Sequence, residues 1–191
     1  MRRTLHRKSE PSSEILTPQE VKTFLKEDLS LNDEMIEELV ITSREWLEDE
    51  TGLNFGLSGY RVYLESFLDI VIPRYPLVDD SVVITYHDST GTEQTLSDNF
   101  YDVIDEEIPC RLKFKGSLPD LMADKEYPVS VSFEAGYTKE KTPKRAFTAM
   151  KLLVTHYFNH RDLSDKRVDY NIPIPNRVRH FVNPLKKWRL L

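Results

Sequence analysis

The chain has little of what most catalytic folds are built from. It carries 1 cysteine, Cys110, in 191 residues. That excludes a disulfide framework within the chain and any thiolate metal cluster, and it fits a reducing compartment. Glycine is scarce, at 6 residues. The one glycine-rich stretch, "GLNFGLSG" from Gly52 to Gly59, lacks the Lys-Ser/Thr pair and the strand–helix setting of a phosphate loop. It reads as a connection from helix to strand. The apolar stretches are amphipathic, and none approaches the roughly 18 residues of a membrane span. The start, "MRRTLHRKSEPSSE", is basic but has no apolar centre of the signal-peptide kind. No internal repeat or low-complexity tract interrupts the chain.

What is present is charge, segregated by region. The composition is 39% hydrophobic and 30% charged, with a net charge of −6. Residues 1–10 hold four Lys/Arg against one acid, and residues 161–191 hold eight against three. The body between them holds 14 Lys/Arg against 28 acids. An acidic body with two basic ends points to an acidic partner for the ends, either protein or nucleic acid.

The pattern predicts three helices around a β-rich middle. Thr17-Pro18-Gln19-Glu20 has the form of a capping box with proline at the first helical position. Val21, Phe24 and Leu25 then predict a helix over about 18–28. Met35, Ile36, Leu39, Val40, Trp46 and Leu47 follow helical spacing over about 33–50, and Gly52 suits a left-handed cap. Strands are predicted at 60–64, 69–72, 82–87, 92–96, 100–103, 111–114 and 129–135, with Asp88-Ser89-Thr90-Gly91 as a hairpin turn. The clearest is the last, where Val129, Val131, Phe133 and Ala135 alternate with polar residues. Thr142 and Pro143 predict the start of a third helix over about 143–160, striped by Ala146, Phe147, Met150, Leu153, Val154, Tyr157 and Phe158. Beyond Asp162, Pro173, Pro175 and Pro184 forbid one long helix. Yet Ile172, Ile174, Val178, Phe181, Val182, Leu185, Trp188, Leu190 and Leu191 make that segment too apolar to stand alone. The expected architecture is α+β: a small three-helix bundle with an inserted antiparallel β-module and extended N- and C-terminal arms. Its expected divisions are a basic arm at 1–14, a connector domain at 15–162 and a basic, apolar arm at 163–191.

Few residues have the spacing of a chemical site. His156 and His160 lie four apart on one helical face, a spacing that can bind zinc. The zincin motif needs Glu after the first histidine, and Tyr157 stands there. A packing residue and a helix-end cation, favoured there by the helix dipole, account for both. Asp79-Asp80 and Asp105-Glu106-Glu107 are loop carboxylates with no companion base or nucleophile. Cys110 has no cationic helix start to lower its pKa and reads as a small buried residue. The basic tail is the better candidate. Arg177, Arg179, Lys186, Lys187 and Arg189 interleave with Phe181, Leu185 and Trp188, which suits a nucleic-acid contact or a protein anchor. No cofactor, catalytic group or metal is assigned.

The order of these parts resembles the head–tail connector (adaptor) proteins of long-tailed bacteriophages. The resemblance runs over residues 15–162. It is carried by "LTPQEVKTFLKED", "NDEMIEELVITSREWLEDETGLNF" and "FEAGYTKEKTPKRAFTAMKLLVTHYFNHRD". Its most specific pieces are the Ala135-Gly136-Tyr137 turn, the Pro143 helix start and "HYFNHRD", where Asp162 replaces the family's Glu and His160 is extra. The resemblance implies a structural protein without an active site, located at the virion neck and, during assembly, in the host cytoplasm. It implies a homo-oligomeric ring, a dodecamer, clamped beneath the portal protein. The ring prolongs the DNA channel, and DNA passes without sequence-specific binding or any membrane contact. A head-completion, stopper or tail protein docks on it next. On this reading the portal contact falls to Arg177, Arg179, Phe181, Leu185, Lys186, Lys187, Trp188 and Arg189. Arg2, Arg3, Arg7 and Lys8 form a second partner contact, and Asp79, Asp80, Asp105, Glu106 and Glu107 line the channel. The alternatives are a DNA-binding module using the basic arms, or a metal-dependent hydrolase using His156 and His160.

Overall fold

The computed structural model describes residues 4–11, 13–25, 33–105, 110–160 and 173–186. The chain divides into two compact units, each made of separate stretches: Met1–Ser12 with Leu57–Gly136, and Ser13–Gly56 with Tyr137–Leu191.

The first unit is β. Its strands are β1 (Thr4–Ser9), β2 (Ser58–Leu64), β3 (Ile70–Val71), β4 (Val83–His87), β5 (Glu93–Thr95), β6 (Tyr101–Ile104), β7 (Arg111–Phe114) and β8 (Val129–Ala135). They form a five-stranded sheet in the order β1-β2-β8-β4-β5 and a three-stranded sheet in the order β3-β7-β6. Every pairing is antiparallel. The strand with the cleanest alternation, β8, lies at the centre of the larger sheet, between β2 and β4. Its Val129, Val131, Phe133 and Ala135 are buried beside Tyr60, Val62, Leu64 and Ile84. Cys110 and Leu112 belong to the same core, and burial, followed by the nearby Asp105, pushes the Cys110 thiol pKa up. The hairpin between β4 and β5 turns where expected. The Asp88 side chain accepts the Thr90 and Thr92 amides at 2.9 and 3.1 Å, and Gly91 takes φ +85°.

Residues 4–9 do not extend as an arm, contrary to the sequence expectation. They pair with β2 as an edge strand, Leu5 opposite Val62, with a register shift between Arg7 and Ser9. At that shift the Gly59 amide donates to Ser9 Oγ at 3.0 Å. A Cβ on Gly59 would come within 2.9 Å of the same oxygen, so a larger residue there would displace the Ser9 hydroxyl.

The second unit is helical: α1 (Pro18–Leu25), α2 (Asp33–Thr51), α3 (Lys144–Asn159) and α4 (Asn176–Val182). Among the described residues there are thus four α-helices rather than the three expected. The capping box forms at α1. The Thr17 amide donates to Glu20 Oε2 at 2.9 Å, and the Glu20 amide donates back to Thr17 Oγ1 at 3.3 Å. Gly52 ends α2 at φ +73°, its amide donating to the Glu48 carbonyl at 2.8 Å. At α3 the expected cap differs. Thr142 is buried and its hydroxyl donates backward to the Thr138 carbonyl at 2.7 Å, leaving Pro143 at the N-cap without a side-chain bond. Along α3, Ala146, Ala149, Met150, Leu153, Val154 and Phe158 are buried, a stripe of three- and four-residue steps that faces α2 and α4. Phe55 and Tyr137 join the two stretches of this unit. The Gly56 amide donates to the Tyr137 carbonyl at 3.1 Å and the Tyr137 amide to the Asn54 carbonyl at 3.0 Å, and the two rings stack at 5.8 Å.

The capping box makes an acid-sensitive contact. Partial burial would raise the pKa of Glu20, but the Thr17 amide, the Lys139 ammonium and the Thr17 hydroxyl outweigh it, and the carboxyl falls from 4.5 to about 2. A depressed carboxylate stabilises the fold fully above its unfolded pKa, and that contribution is lost as pH falls through the folded value. Glu20→Gln should therefore flatten the loss of stability between pH 4.5 and about 2, by well under about 1 kcal/mol because the side chain is 37% exposed. Urea midpoints measured across that range for both proteins check it.

Candidate functional site

With no catalytic constellation predicted, the relevant features are surfaces, and the expected site residues among the described ones can be placed on them. The C-terminal candidates separate into two groups. Pro173, Ile174 and Pro175 lead into α4, whose Val178 and Val182 are buried, as is Leu185 in the following 3-10 turn. Lys186 pairs with Glu50 of α2. Residues 173–186 are therefore packed into the helical unit rather than extended, and Leu185 and Lys186 are engaged within it. Arg177, Arg179 and His180 remain exposed, and Phe181 is half-buried beside the His180 ring. Lys187, Trp188 and Arg189 lie outside the described residues.

Of the N-terminal candidates, Arg2 and Arg3 also lie outside the described residues. Arg7 is held in β1. It donates to Glu10 at 3.0 Å and to the Tyr60 hydroxyl at 3.3 Å, with its guanidinium 5.7 Å from the Tyr60 ring centre. Lys8 is exposed.

The acidic candidates converge, with two additions. Asp79, Asp80 and Asp105 line one groove of about 400 Å³ in the β unit, together with Asp98 and Asp102. Apolar walls come from Leu77, Val82 and Val103. Tyr101 also lines the groove, its hydroxyl donating to Asp98 at 2.7 Å. Burial, then Asp98, pushes the Tyr101 pKa up. Asp80 holds φ +56°, the left-handed region. Asp98 and Asp102 were not legible as members because they stand apart from the Asp-Asp pair and reach the groove only through the fold of β6 and the 3-10 turn before it. Glu106 and Glu107 lie outside the described residues.

His156 and His160 come together, their ring centres 4.6 Å apart. The His160 Nδ1–H donates to the His156 carbonyl at 2.7 Å, so that nitrogen is occupied at the helix end. Burial, then the neighbouring His160, lowers the His156 pKa. Among the described residues no group of three His, Cys, Asp or Glu could hold a metal ion. The double variant His156→Ala, His160→Ala should stay folded, with a stability change of roughly 1 kcal/mol or less. Elemental analysis of the purified wild type should find no stoichiometric zinc; one metal per chain, lost in the variant, would assign the pair to a metal centre.

A buried charge network escaped the sequence pattern. Arg44 of α2 is 2% exposed. Its Nε donates to Glu14 at 2.9 Å and its Nη1 to Glu48 at 3.1 Å. Glu48 in turn accepts the Phe55 amide at 2.8 Å. The i, i+4 spacing of Arg44 and Glu48 was the available signal, but surface helices carry the same spacing.

No protein-family model and no curated protein matches the chain. Solved structures do. A chain in the neck of an empty gene transfer agent (GTA) particle, computed with C6 symmetry, matches with TM-score 0.77 at 17% identity, over 98% of this chain and 97% of that one. A chain in the virion of the native particle matches with TM-score 0.76 at 18% identity, over the same shares. A chain in the neck of the native particle, computed with C12 symmetry, matches with TM-score 0.70 at 17% identity, again over 98% and 97%. This chain has their fold. The likeness takes in the N-terminal strand and α4 as well as residues 15–162.

Proposed function

We propose that this chain is a structural subunit of the neck of a phage-like particle, an adaptor that forms a ring beneath the portal. One observation carries the reading: the fold is shared over 98% of the chain with chains of gene transfer agent particles, two of them described as necks computed with C6 and C12 symmetry. The resemblance in "FEAGYTKEKTPKRAFTAMKLLVTHYFNHRD" supports it from the sequence side. In this role twelve copies surround the DNA path, and the next head-completion or tail protein docks on the ring. The task is mechanical and needs no reaction centre. The acidic groove at Asp79, Asp80 and Asp105 is assigned to the channel or its mouths, where like charge keeps DNA mobile within the ~10 Å range that salt allows. The exposed Arg177 and Arg179, with Phe181, Lys187, Trp188 and Arg189, are assigned to the portal contact. Arg2, Arg3 and Lys8 are kept for a second partner.

Gold labelling of the tagged chain on purified particles, viewed by electron microscopy, tests this. Label should fall at the head–tail junction, and particles made without the chain should accumulate as DNA-filled heads lacking tails. Label on the capsid or tail tip, or normal tailed particles without the chain, would sink the reading.

A further inference from the structure

The exposed face of α2 is almost wholly acidic. Asp33, Glu34, Glu37, Glu38, Glu45 and Asp49 all face solvent. Asp33 pairs with Lys22, whereas the other five side chains have no partner among the described residues. Ile41 stands in their midst, 39% exposed. The last turn of α2 has no basic residue, and Asp49 sits there at the negative end of its own helix dipole, where acids are disfavoured.

The start of α3 shows the opposite arrangement. Lys141, Lys144 and Arg145 are exposed and their side chains have no partner among the described residues. Glu140 lies in the same stretch, and the neighbouring Lys139 is already neutralised by Glu20 at 2.9 Å. The first turn of α3 contains no acid, so Lys144 and Arg145 sit at the positive end of their dipole. The two surfaces thus carry charge that the described residues of the single unit leave unbalanced. They are opposite in sign and lie on different elements, which is what a head-to-tail contact between identical chains requires.

We propose that the acidic face of α2, centred on Glu37, Glu38 and Ile41, docks on the basic start of α3 in a second copy of this chain. The inference rests on the ring reading above and names the surfaces that close the ring. The contact orients neighbouring copies by charge, and Ile41 supplies an apolar centre that becomes dry on assembly.

Charge reversal tests it on the full chain. One variant carries Glu37→Lys with Glu38→Lys, and the other Lys144→Glu with Arg145→Glu. Sedimentation velocity at low salt should show the wild type assembling, and added salt should weaken that assembly. Each variant alone should remain monomeric with an unchanged circular dichroism spectrum and Tm. An equimolar mixture should assemble again, because the reversed face of one variant matches the reversed face of the other, giving rings with an even number of copies. Should a reversal variant fail to fold, Glu37→Gln with Glu38→Gln replaces it, with partial loss of assembly expected. Variants that assemble like the wild type, or a mixture that stays monomeric, would overturn the contact while leaving the neck reading intact. A wild type that is monomeric at every concentration would overturn it as a contact made by copies alone, and neck labelling would then decide the particle reading separately.

Discussion

Replacing Arg44 by alanine should destabilise the helical unit by about 3–5 kcal/mol, because it leaves a buried carboxylate without its counter-charge. The residue is 2% exposed and holds both Glu14 and Glu48. With the guanidinium gone, Glu14 turns to solvent, for its side chain is 25% exposed. Glu48, 8% exposed, cannot do so. It must stay charged without a cation or take up a proton, and its bond to the Phe55 amide weakens in either case. Arg44→Leu combined with Glu48→Leu should cost less than the sum of the two single changes, since the pair removes both charges together. Denaturant unfolding of the four proteins measures this. An Arg44→Ala variant within about 0.5 kcal/mol of wild type would show that the network contributes nothing net.

Ending the chain before Pro173 should lower the Tm by at least roughly 4 °C. Val178, Val182 and Leu185 are buried, and each such side chain contributes about 1.5–3 kcal/mol on burial. Part of that is offset by the entropy of ordering the segment. A net loss of about 2 kcal/mol or more remains, and in a chain of this size each kcal/mol moves the Tm by about 2–4 °C. Read from the sequence as an extended arm, the segment would leave the melting near normal when deleted. Thermal unfolding of the truncated protein separates the two. A control ending after Lys186 retains α4 and its Glu50 ion pair and should keep the stability that α4 supplies.

The elements legible in the sequence were those whose own residues carry the full signal. The strand at 129–135 announces itself by alternation, with every second residue buried along its whole length. The capping box at Thr17 and the glycine at position 52 are local devices, complete within a few residues, so no distant partner was needed to recognise them. The N-terminal strand has a single apolar residue, Leu5, in six. Only its pairing with β2 makes it a strand, and that partner is some fifty residues away. Helix α4 has seven residues, too few for a period to show, and Pro175 and Pro184 around it argue against a helix. Asp79, Asp80 and Asp105 were legible as loop acids, but not the groove that they share. Its remaining members are brought in by tertiary folding, as is the charge network around Arg44.

The clasp at Gly56 and Tyr137 has an implication for how such a chain can change over time. The backbone leaves the helical unit after Gly56 and re-enters at Tyr137, two residues joined by a backbone hydrogen bond. A segment whose ends meet in this way places almost no constraint on the length or shape of what lies between them. Residues 57–136 can therefore be lengthened, shortened or exchanged for another module while the helical unit keeps its core. The N-terminal strand pairs with β2 and would have to be replaced along with it. A lineage of these proteins could then keep one helical frame and vary the β unit with each new partner it has to meet.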